Sequence, residues 1–325
     1  MEKKLYQLSK KAHVSANFFD IFNVLKVIPF KLIVRLFKFK VEKLSIPLSI
    51  ENNICNDCSL ICVWHGGEHF FGKDTYIYYN EKKVHIYQNL KKRKAKKSTK
   101  GVFRYEKALK ESLKKVSFQI PKVIDSNTLY FESDAGYREL LFYSKKNIKR
   151  ILRISLDISS AASSEVFLDK LYFKRYLGLV ILHSKDGVLR SINKNIRNDL
   201  VDIINKLGKD YRIKLNLSHG DFSKWNILFK KDDIKLIDWE WVSLKTPMYD
   251  ACHFLDSLGW SASEISHKLS KEFDVSDVNA ALYTKLYYME KIIRFSYISM
   301  ISYNVSRNPD SNDINSIYIK YKKAC

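Results

Sequence analysis

The segment from Ser218 to Trp241, SHGDFSKWNILFKKDDIKLIDWEW, constrains this chain more than any other. Apolar residues recur in Ile227-Leu228-Phe229 and again from Ile234 to Trp239, with the polar run Lys-Lys-Asp-Asp between them. That is the pattern of two short strands joined by a tight turn. With Asp232 and Asp233 as the turn, Lys231 pairs with Ile234, and counting outward sets Asn226 opposite Trp239 and next to Asp238. Cross-strand Cβ atoms lie roughly 5 Å apart, so the hairpin is expected to gather two oxygen-bearing side chains at its open end.

Side chains of that kind hold a divalent cation. Magnesium takes about six oxygens in a near-octahedral shell and sheds water reluctantly, so one carboxylate and one amide suffice when nucleotide phosphates and waters complete the shell. Asp238 and Asn226 supply that minimum, and Asp221 lies five residues before Asn226 in the preceding loop. A carboxylate there can accept the proton of an incoming hydroxyl while a metal-bound γ-phosphate is held in line, which makes Asp221 the candidate base.

HGDFSKWN resembles the catalytic loop of protein-kinase-like phosphotransferases, with His, Asp and then Asn five residues on, and IDWE stands where protein kinases carry Asp-Phe-Gly. The Gly after His219, the Trp before Asn226 and the Asp-Trp-Glu are similar to the aminoglycoside phosphotransferase and choline kinase branch. The resemblance implies ATP and Mg2+ as cofactors, Asp221 as base, and Asn226 and Asp238 as metal ligands with Glu240 as a further metal contact. His219, Lys224 and Asp250, the last in PMYDACHF, would support the catalytic loop. The implied fold is α+β and bilobal: a small antiparallel sheet with one helix, and a mainly helical large lobe carrying the catalytic hairpin.

On this reading a basic amphipathic segment over 1–50 precedes a small lobe over 51–135 and a large lobe over 136–325. The pattern predicts strands over Leu60 to Trp64, Thr75 to Tyr79 and Val84 to Leu90, with His65-Gly66-Gly67 as a turn. Gly66 and Gly67 would cover nucleotide phosphates with backbone amides, or close an ordinary hairpin. The RYEKAL helix and the Ile120-Pro121 turn after it resemble family features, which implies Glu106 as the partner of a phosphate-binding lysine. Here the chain departs from the family: the third strand reads VHIYQNL, with Tyr87 or Gln88 where that lysine is expected. Lys91 takes the role if the strand runs longer; without a lysine, catalysis is slow or the chain only binds nucleotide. Asn127 to Gly136 reads as a strand entering a hinge, where backbone groups of Glu132 to Asp134 would meet an adenine edge. Helices are expected over Phe167 to Tyr176, Asn193 to Lys206 and Leu282 to Ser302.

At 325 residues with 46% hydrophobic content, the chain can bury a substantial core. It has no run of 18 uncharged apolar residues and its N-terminus lacks a secretory pattern, so a cytoplasmic protein is expected. Five cysteines, an odd number and mostly in apolar runs, fit reduced thiols. Cys55, Cys58, Cys62 and His65 have zinc-ligand types, but strand alternation turns His65 away from Cys58 and Cys62, and packed thiols are the better reading.

A formal net charge of +22 points away from a cationic acceptor and toward an anionic partner. The densest run, Lys91 to Lys100, reads as a mobile loop that is either simply solvated or meets lipid head groups or phosphorylated glycan. Few aromatics surround it, which disfavours nucleic acid. From Pro29 onward, Lys31, Arg35, Lys38 and Glu42 form one stripe on a helix, otherwise apolar except for Lys40, that would lie in a membrane interface on the inner face of the cell membrane or pack on the protein itself. Bacterial lipopolysaccharide-core sugar kinases resemble this chain in being basic and kinase-like. A lipid-linked or surface-glycan sugar hydroxyl is thus the expected acceptor, with a small-molecule acceptor of the choline or aminoglycoside type as the alternative. The latter would need acidic residues at the acceptor pocket, for which Asp250, Asp256 and Glu290 are candidates.

Overall fold

The computed structural model describes residues 48–53, 59–65, 73–79, 83–90, 94–114, 116–134, 137, 140, 142–301 and 311–323. The N-terminal amphipathic segment up to residue 47, Cys55, Cys58, Gly66, Gly67 and Lys91 lie outside these residues. The chain divides into two compact units. The first takes the residues up to Phe103, Lys115–Phe142 and Trp225–Glu240; the second takes Arg104–Lys114, Tyr143–Lys224 and Trp241 onward.

The first unit is built on a five-stranded sheet of order β1-β2-β3-β6-β5, antiparallel throughout. Its strands are β1 (Ser59–His65), β2 (Lys73–Tyr79), β3 (Lys83–Leu90), β5 (Lys122–Val123) and β6 (Thr128–Asp134). Three of the expected strands are thus present with longer ends, and His65 belongs to a strand, paired with Asp74, rather than to a turn. Tyr76, Tyr78 and Tyr87 are buried by period-two alternation, and Tyr87 packs on Tyr78 and Tyr130 at centroid separations of 5.7 and 4.9 Å.

The described part of the lysine run is not a loop. Ala95–Ser98 is a helical turn and Lys100 opens helix α1 (Lys100–Ser112). The reason is Ala95, which is fully buried against Leu90 and Leu129, so the backbone is pinned while Lys94, Lys96, Lys97 and Lys100 stay exposed.

A second sheet in this unit, of order β4-β10-β9, contains the hairpin: β4 (Ser117–Phe118), β9 (Ile227–Lys230) and β10 (Asp233–Leu236). The turn is Lys231-Asp232, not Asp232-Asp233, and Lys230 pairs with Asp233. Burial decides the register. The observed pairing sets Ile234 against Phe229 and Leu236 against Ile227, all four buried, whereas the expected one would set Ile234 against exposed Lys231. Lys231 accepts a left-handed φ of 56° to close the turn.

The second unit is mainly helical: α2 (Lys145–Ala161), α3 (Lys174–His183), α4 (Gly187–Leu207), α5 (Tyr249–Ser257), α6 (Ala262–Phe273), α7 (Asp277–Ile301) and α8 (Ser311–Lys322). A sheet of order β11-β8-β7 accompanies them, formed by β7 (Ser163–Phe167), β8 (Arg212–Ser218) and β11 (Ser243–Lys245). The helix expected from Phe167 to Tyr176 begins only at Lys174, because Phe167 closes β7 opposite Arg212, whose guanidinium lies 4.6 Å from its ring. Helix α4 starts earlier than expected, since the Asp186 carboxylate caps it by accepting from the amides of Val188 and Leu189. Gly208, with φ 94°, follows its last turn. In α7, Tyr287, Tyr288, Met289, Ile292 and Ile293 are fully buried. Among the described residues no helix is long and apolar enough to cross a membrane.

Candidate active site

Strand β8 delivers the chain into Ser218-His219-Gly220-Asp221, and the carboxylate of Asp250, at the start of α5 and 2% exposed, holds that loop from below. Its Oδ1 accepts from Ser218 Oγ at 2.6 Å and from the Gly220 amide at 3.2 Å, and its Oδ2 accepts from the His219 amide at 2.7 Å. Burial pushes the Asp250 carboxyl up, against the charge of His219 and the three hydrogen bonds that favour the ionised form. His219 is fully buried, and its Nδ1 accepts from the Asp221 amide at 3.3 Å. Lys224 is fixed by its backbone: its amide donates to Ser257 Oγ at 3.0 Å, and its carbonyl accepts from Tyr143 Oη at 3.2 Å.

Gly220 is the residue this loop cannot change. Its φ is 82°, and a Cβ there would stand 2.2 Å from the carbonyl oxygen of Trp241. Its own carbonyl accepts from Arg294 Nη1 of α7 at 3.0 Å, while the Arg294 guanidinium stacks 3.9 Å from the Trp241 ring centroid.

The side chain of Asp221 is 38% exposed, and its Oδ1 meets His253 Nε2 at 3.1 Å. Burial works to raise its pKa, but the His253 hydrogen bond and charge, with the charges of His219 and Arg294, outweigh it and hold the carboxyl at about 2. At neutral pH Asp221 is a carboxylate, the form that can accept a proton.

In the first unit, Asn226 ends the turn before β9, and its carbonyl accepts from the Ile237 amide at 3.1 Å. Asn226 therefore faces Ile237, not Trp239, and still flanks Asp238. Asp238 adopts a left-handed φ of 61°, a conformation that costs about 1–3 kcal/mol for a non-glycine residue and clusters at functional sites. Trp239 is buried against Phe118 at 5.5 Å, while Asp238 and Glu240 line a cleft shared with Gln88, Ser98 and Thr99. The Ser98 hydroxyl is buried there without a protein partner. An amide and two carboxylates beside such a cleft are hard oxygen donors, a set that suits Mg2+. No three His, Cys, Asp or Glu side chains converge among the described residues, so the remaining ligands would be phosphate and water oxygens.

The nucleotide candidates from the sequence fare unevenly. Of the two positions considered for the lysine, Gln88 lines the cleft with Asp238, whereas Tyr87 is buried and donates its hydroxyl to the Asn53 carbonyl. Glu106 pairs with Lys110 one turn along α1 at 2.6 Å, Lys91, the lysine expected beside it, lies outside the described residues, and Ser98, Thr99 and Val102 line the cleft. The Glu132 carbonyl, offered to an adenine edge, already accepts from Gln119 Nε2 at 3.1 Å and Lys235 Nζ at 3.2 Å. The Glu132 side chain takes Lys83 and Tyr130, and Asp134 pairs with Lys83 in the β3–β6 ladder.

The three acidic residues considered for a cationic acceptor are all engaged. Asp250 holds the loop, Asp256 receives Lys291 and Lys320 at 2.5 and 2.7 Å, and Glu290 receives buried Lys245 at 2.8 Å. His253, Tyr287, Lys291 and Arg294 went unread in the sequence, since single polar residues in α5 and α7 carry no signature there.

Residues 197–280 match the family described as the phosphotransferase enzyme family, a stretch that includes the loop, the hairpin and Asp250. Among solved structures, the chain is similar to the choline kinase LicA from Streptococcus pneumoniae, with 17% identity and a TM-score of 0.55, over 82% of this chain and 93% of that one. It is also similar to an ethanolamine kinase from Plasmodium vivax, with 13% identity and a TM-score of 0.54, over 84% and 83% of the two chains. The ADP-bound aminoglycoside phosphotransferase APH(2'')-Ib gives 12% identity and a TM-score of 0.54, over 84% and 96%. No curated protein matches. The fold is α+β and protein-kinase-like, as the catalytic-loop motif implied.

Proposed function

We propose, from the premise that this chain is a kinase-like phosphotransferase, that it moves the γ-phosphoryl group of ATP to a hydroxyl of a sugar in a lipid-linked or cell-surface glycan. The observation that carries the phosphoryl-transfer reading is Asp238: a strained left-handed aspartate beside Asn226, lining a cleft with Glu240. Asn226, Asp238 and Glu240 would hold Mg2+, which when bound neutralises charge on the phosphates. Asp221, anchored through the Asp250 network, orients the acceptor hydroxyl and takes its proton. ATP as donor is supported by the nucleotide complexes of similar enzymes, LicA with AMP and APH(2'')-IIa with ATP and streptomycin.

The acceptor class rests on charge. A cationic acceptor such as choline would need uncommitted carboxylates, yet Asp256 and Glu290 are each neutralised by lysine. Arg294 adds a cation to the loop that carries Asp221, and the whole chain stands at +22. These features favour a neutral or anionic sugar over choline, ethanolamine or an aminoglycoside. Gln88, a neutral residue where the family's lysine is expected, favours a second reading in which the chain binds nucleotide without transferring phosphate.

The test is an acceptor panel with γ-labelled ATP and Mg2+: lipopolysaccharide core, lipid-linked oligosaccharide, choline, ethanolamine and an aminoglycoside. Label on a sugar hydroxyl is the expected result. Asp221→Asn should cut that turnover by roughly 10²–10⁴-fold and keep thermal stabilisation by Mg-ATP. Label on choline or ethanolamine would overturn the acceptor class. Stabilisation by Mg-ATP with no transfer to any acceptor would favour the nucleotide-binding reading.

A further inference from the structure

Behind Asp221 lies a hydrogen-bond chain that the phosphoryl-transfer reading does not use. His253 of α5 is 12% exposed and meets Asp221 Oδ1 through Nε2 at 3.1 Å, while its Nδ1 meets the Tyr287 hydroxyl at 3.1 Å. Tyr287 Oη also lies 2.9 Å from Asp256 Oδ2 and accepts from Lys291 Nζ at 3.1 Å. Asp256 further receives Lys291 at 2.5 Å, Lys320 of α8 at 2.7 Å and Tyr288 at 3.2 Å.

Proton bookkeeping gives this chain a direction. Tyr287 has one proton and two acceptors, Asp256 and His253 Nδ1. Asp221 is a carboxylate at neutral pH and can only accept, so Nε2 at 3.1 Å is the donor, and the Tyr287 hydroxyl, which also reaches Asp256 Oδ2, can turn its proton to the Nδ1 lone pair that remains. The neutral imidazole then carries its proton on Nε2, which is the only neutral form that can donate to the Asp221 carboxylate. Donation runs from Lys291 through Tyr287 and His253 to Asp221, and it occupies Oδ1 while leaving Oδ2 to other partners.

We propose that His253 is the positioning residue of the reaction, acting through Asp221: its neutral Nε2–H tautomer fixes the carboxylate so that Oδ2 faces the acceptor hydroxyl. Protonation of His253 then converts this hydrogen bond into an ion pair and weakens Asp221 as a proton acceptor. The charged and titratable groups facing His253 are Asp221 from the loop, Tyr249 and Asp256 from its own helix, and Tyr287, Lys291 and Arg294 from α7. Burial lowers the His253 pKa, Asp221 raises it, and Lys291 and Arg294 lower it further, so the neutral form prevails at neutral pH.

The proposal rests on Asp221 being the base, yet its first test needs no acceptor. In protein with labelled aspartate carboxyls and histidine nitrogens, nuclear magnetic resonance at neutral pH should find His253 neutral with its proton on Nε2. Asp221 should titrate at least about one pH unit higher in His253→Leu than in the wild type. It should return toward the wild-type value in His253→Gln, whose amide can donate to Asp221 and accept from Tyr287. A proton on Nδ1 of neutral His253, identical Asp221 titration in the wild type and His253→Leu, or no recovery from His253→Leu to His253→Gln, would overturn the proposal. If the glycan-transfer assay succeeds, its acid limb should disappear in His253→Gln. A limb unmoved in that variant would likewise overturn the proposal, whereas failure of glycan transfer bears on the proposed acceptor and leaves the resonance results decisive.

Discussion

Replacing Asp250 by alanine isolates what holds the loop. The carboxylate is 2% exposed and takes three donors, but the Gly220 amide has a second acceptor in Ser218 Oγ at 2.9 Å and keeps it in the variant. Two groups are therefore orphaned: the His219 amide and the Ser218 hydroxyl proton. A buried donor left unsatisfied costs about 1–3 kcal/mol, so the pair costs about 2–6 kcal/mol. The desolvation that raises the Asp250 pKa is relieved at the same time and offsets part of that, leaving about 2–4 kcal/mol. Alanine suits the first turn of α5, so the helix itself is no confounder. Urea denaturation gives the global change, and hydrogen exchange of the His219 and Gly220 amides gives the local one. Turnover should fall about 10²-fold as the loop loses its anchor. An unchanged midpoint together with full protection of the His219 amide would refute the reasoning.

Three further outcomes follow from the same residues. Gly220→Ala should destabilise the protein by about 3 kcal/mol or more, because the new Cβ meets a backbone oxygen at 2.2 Å; Gly178→Ala, with nothing within 4 Å in α3, should be neutral or slightly stabilising in the same melting assay. Lys245→Met should cost about 3–5 kcal/mol by denaturant titration, since Glu290, 2% exposed, would lose the ammonium that pairs with it. In acid, Asp221 and Asp256 both bind protons more weakly folded than unfolded, in spite of burial, through His253 for the first and Lys291 and Lys320 for the second. Their stabilisation is present above about pH 4 and is lost as pH falls toward 2, so the thermal midpoint should drop over that window, less steeply in Asp256→Asn. A midpoint flat from pH 5 to pH 3 would contradict this.

Much of the local structure around the candidate site was legible because its residues sit close together in sequence. The loop and hairpin fall within Ser218 to Trp241, where residue type and spacing suffice to place Asp221, Asn226 and Asp238. The hairpin register was not legible, since four polar residues offer several turns and only the burial of Ile227, Phe229, Ile234 and Leu236 selects one. The lysine run misled for the opposite reason: one buried alanine outweighs the cations around it. Short-range helical pattern also hid β7, whose partner β8 begins 45 residues after Phe167. His253 could not have been found from sequence, because its role depends on Tyr287 and Lys291 one long helix away.

The two units alternate along the sequence. The first needs Trp225–Glu240 after the second has already received Arg104–Lys114 and Tyr143–Lys224. Neither is therefore completed by one uninterrupted stretch, and during synthesis the early sheet waits for its late hairpin while Asp256 waits for Lys320. Cutting the gene between residues 115 and 224 would leave each half lacking strands and helices that only the other encodes, so the halves should recover function only when expressed together.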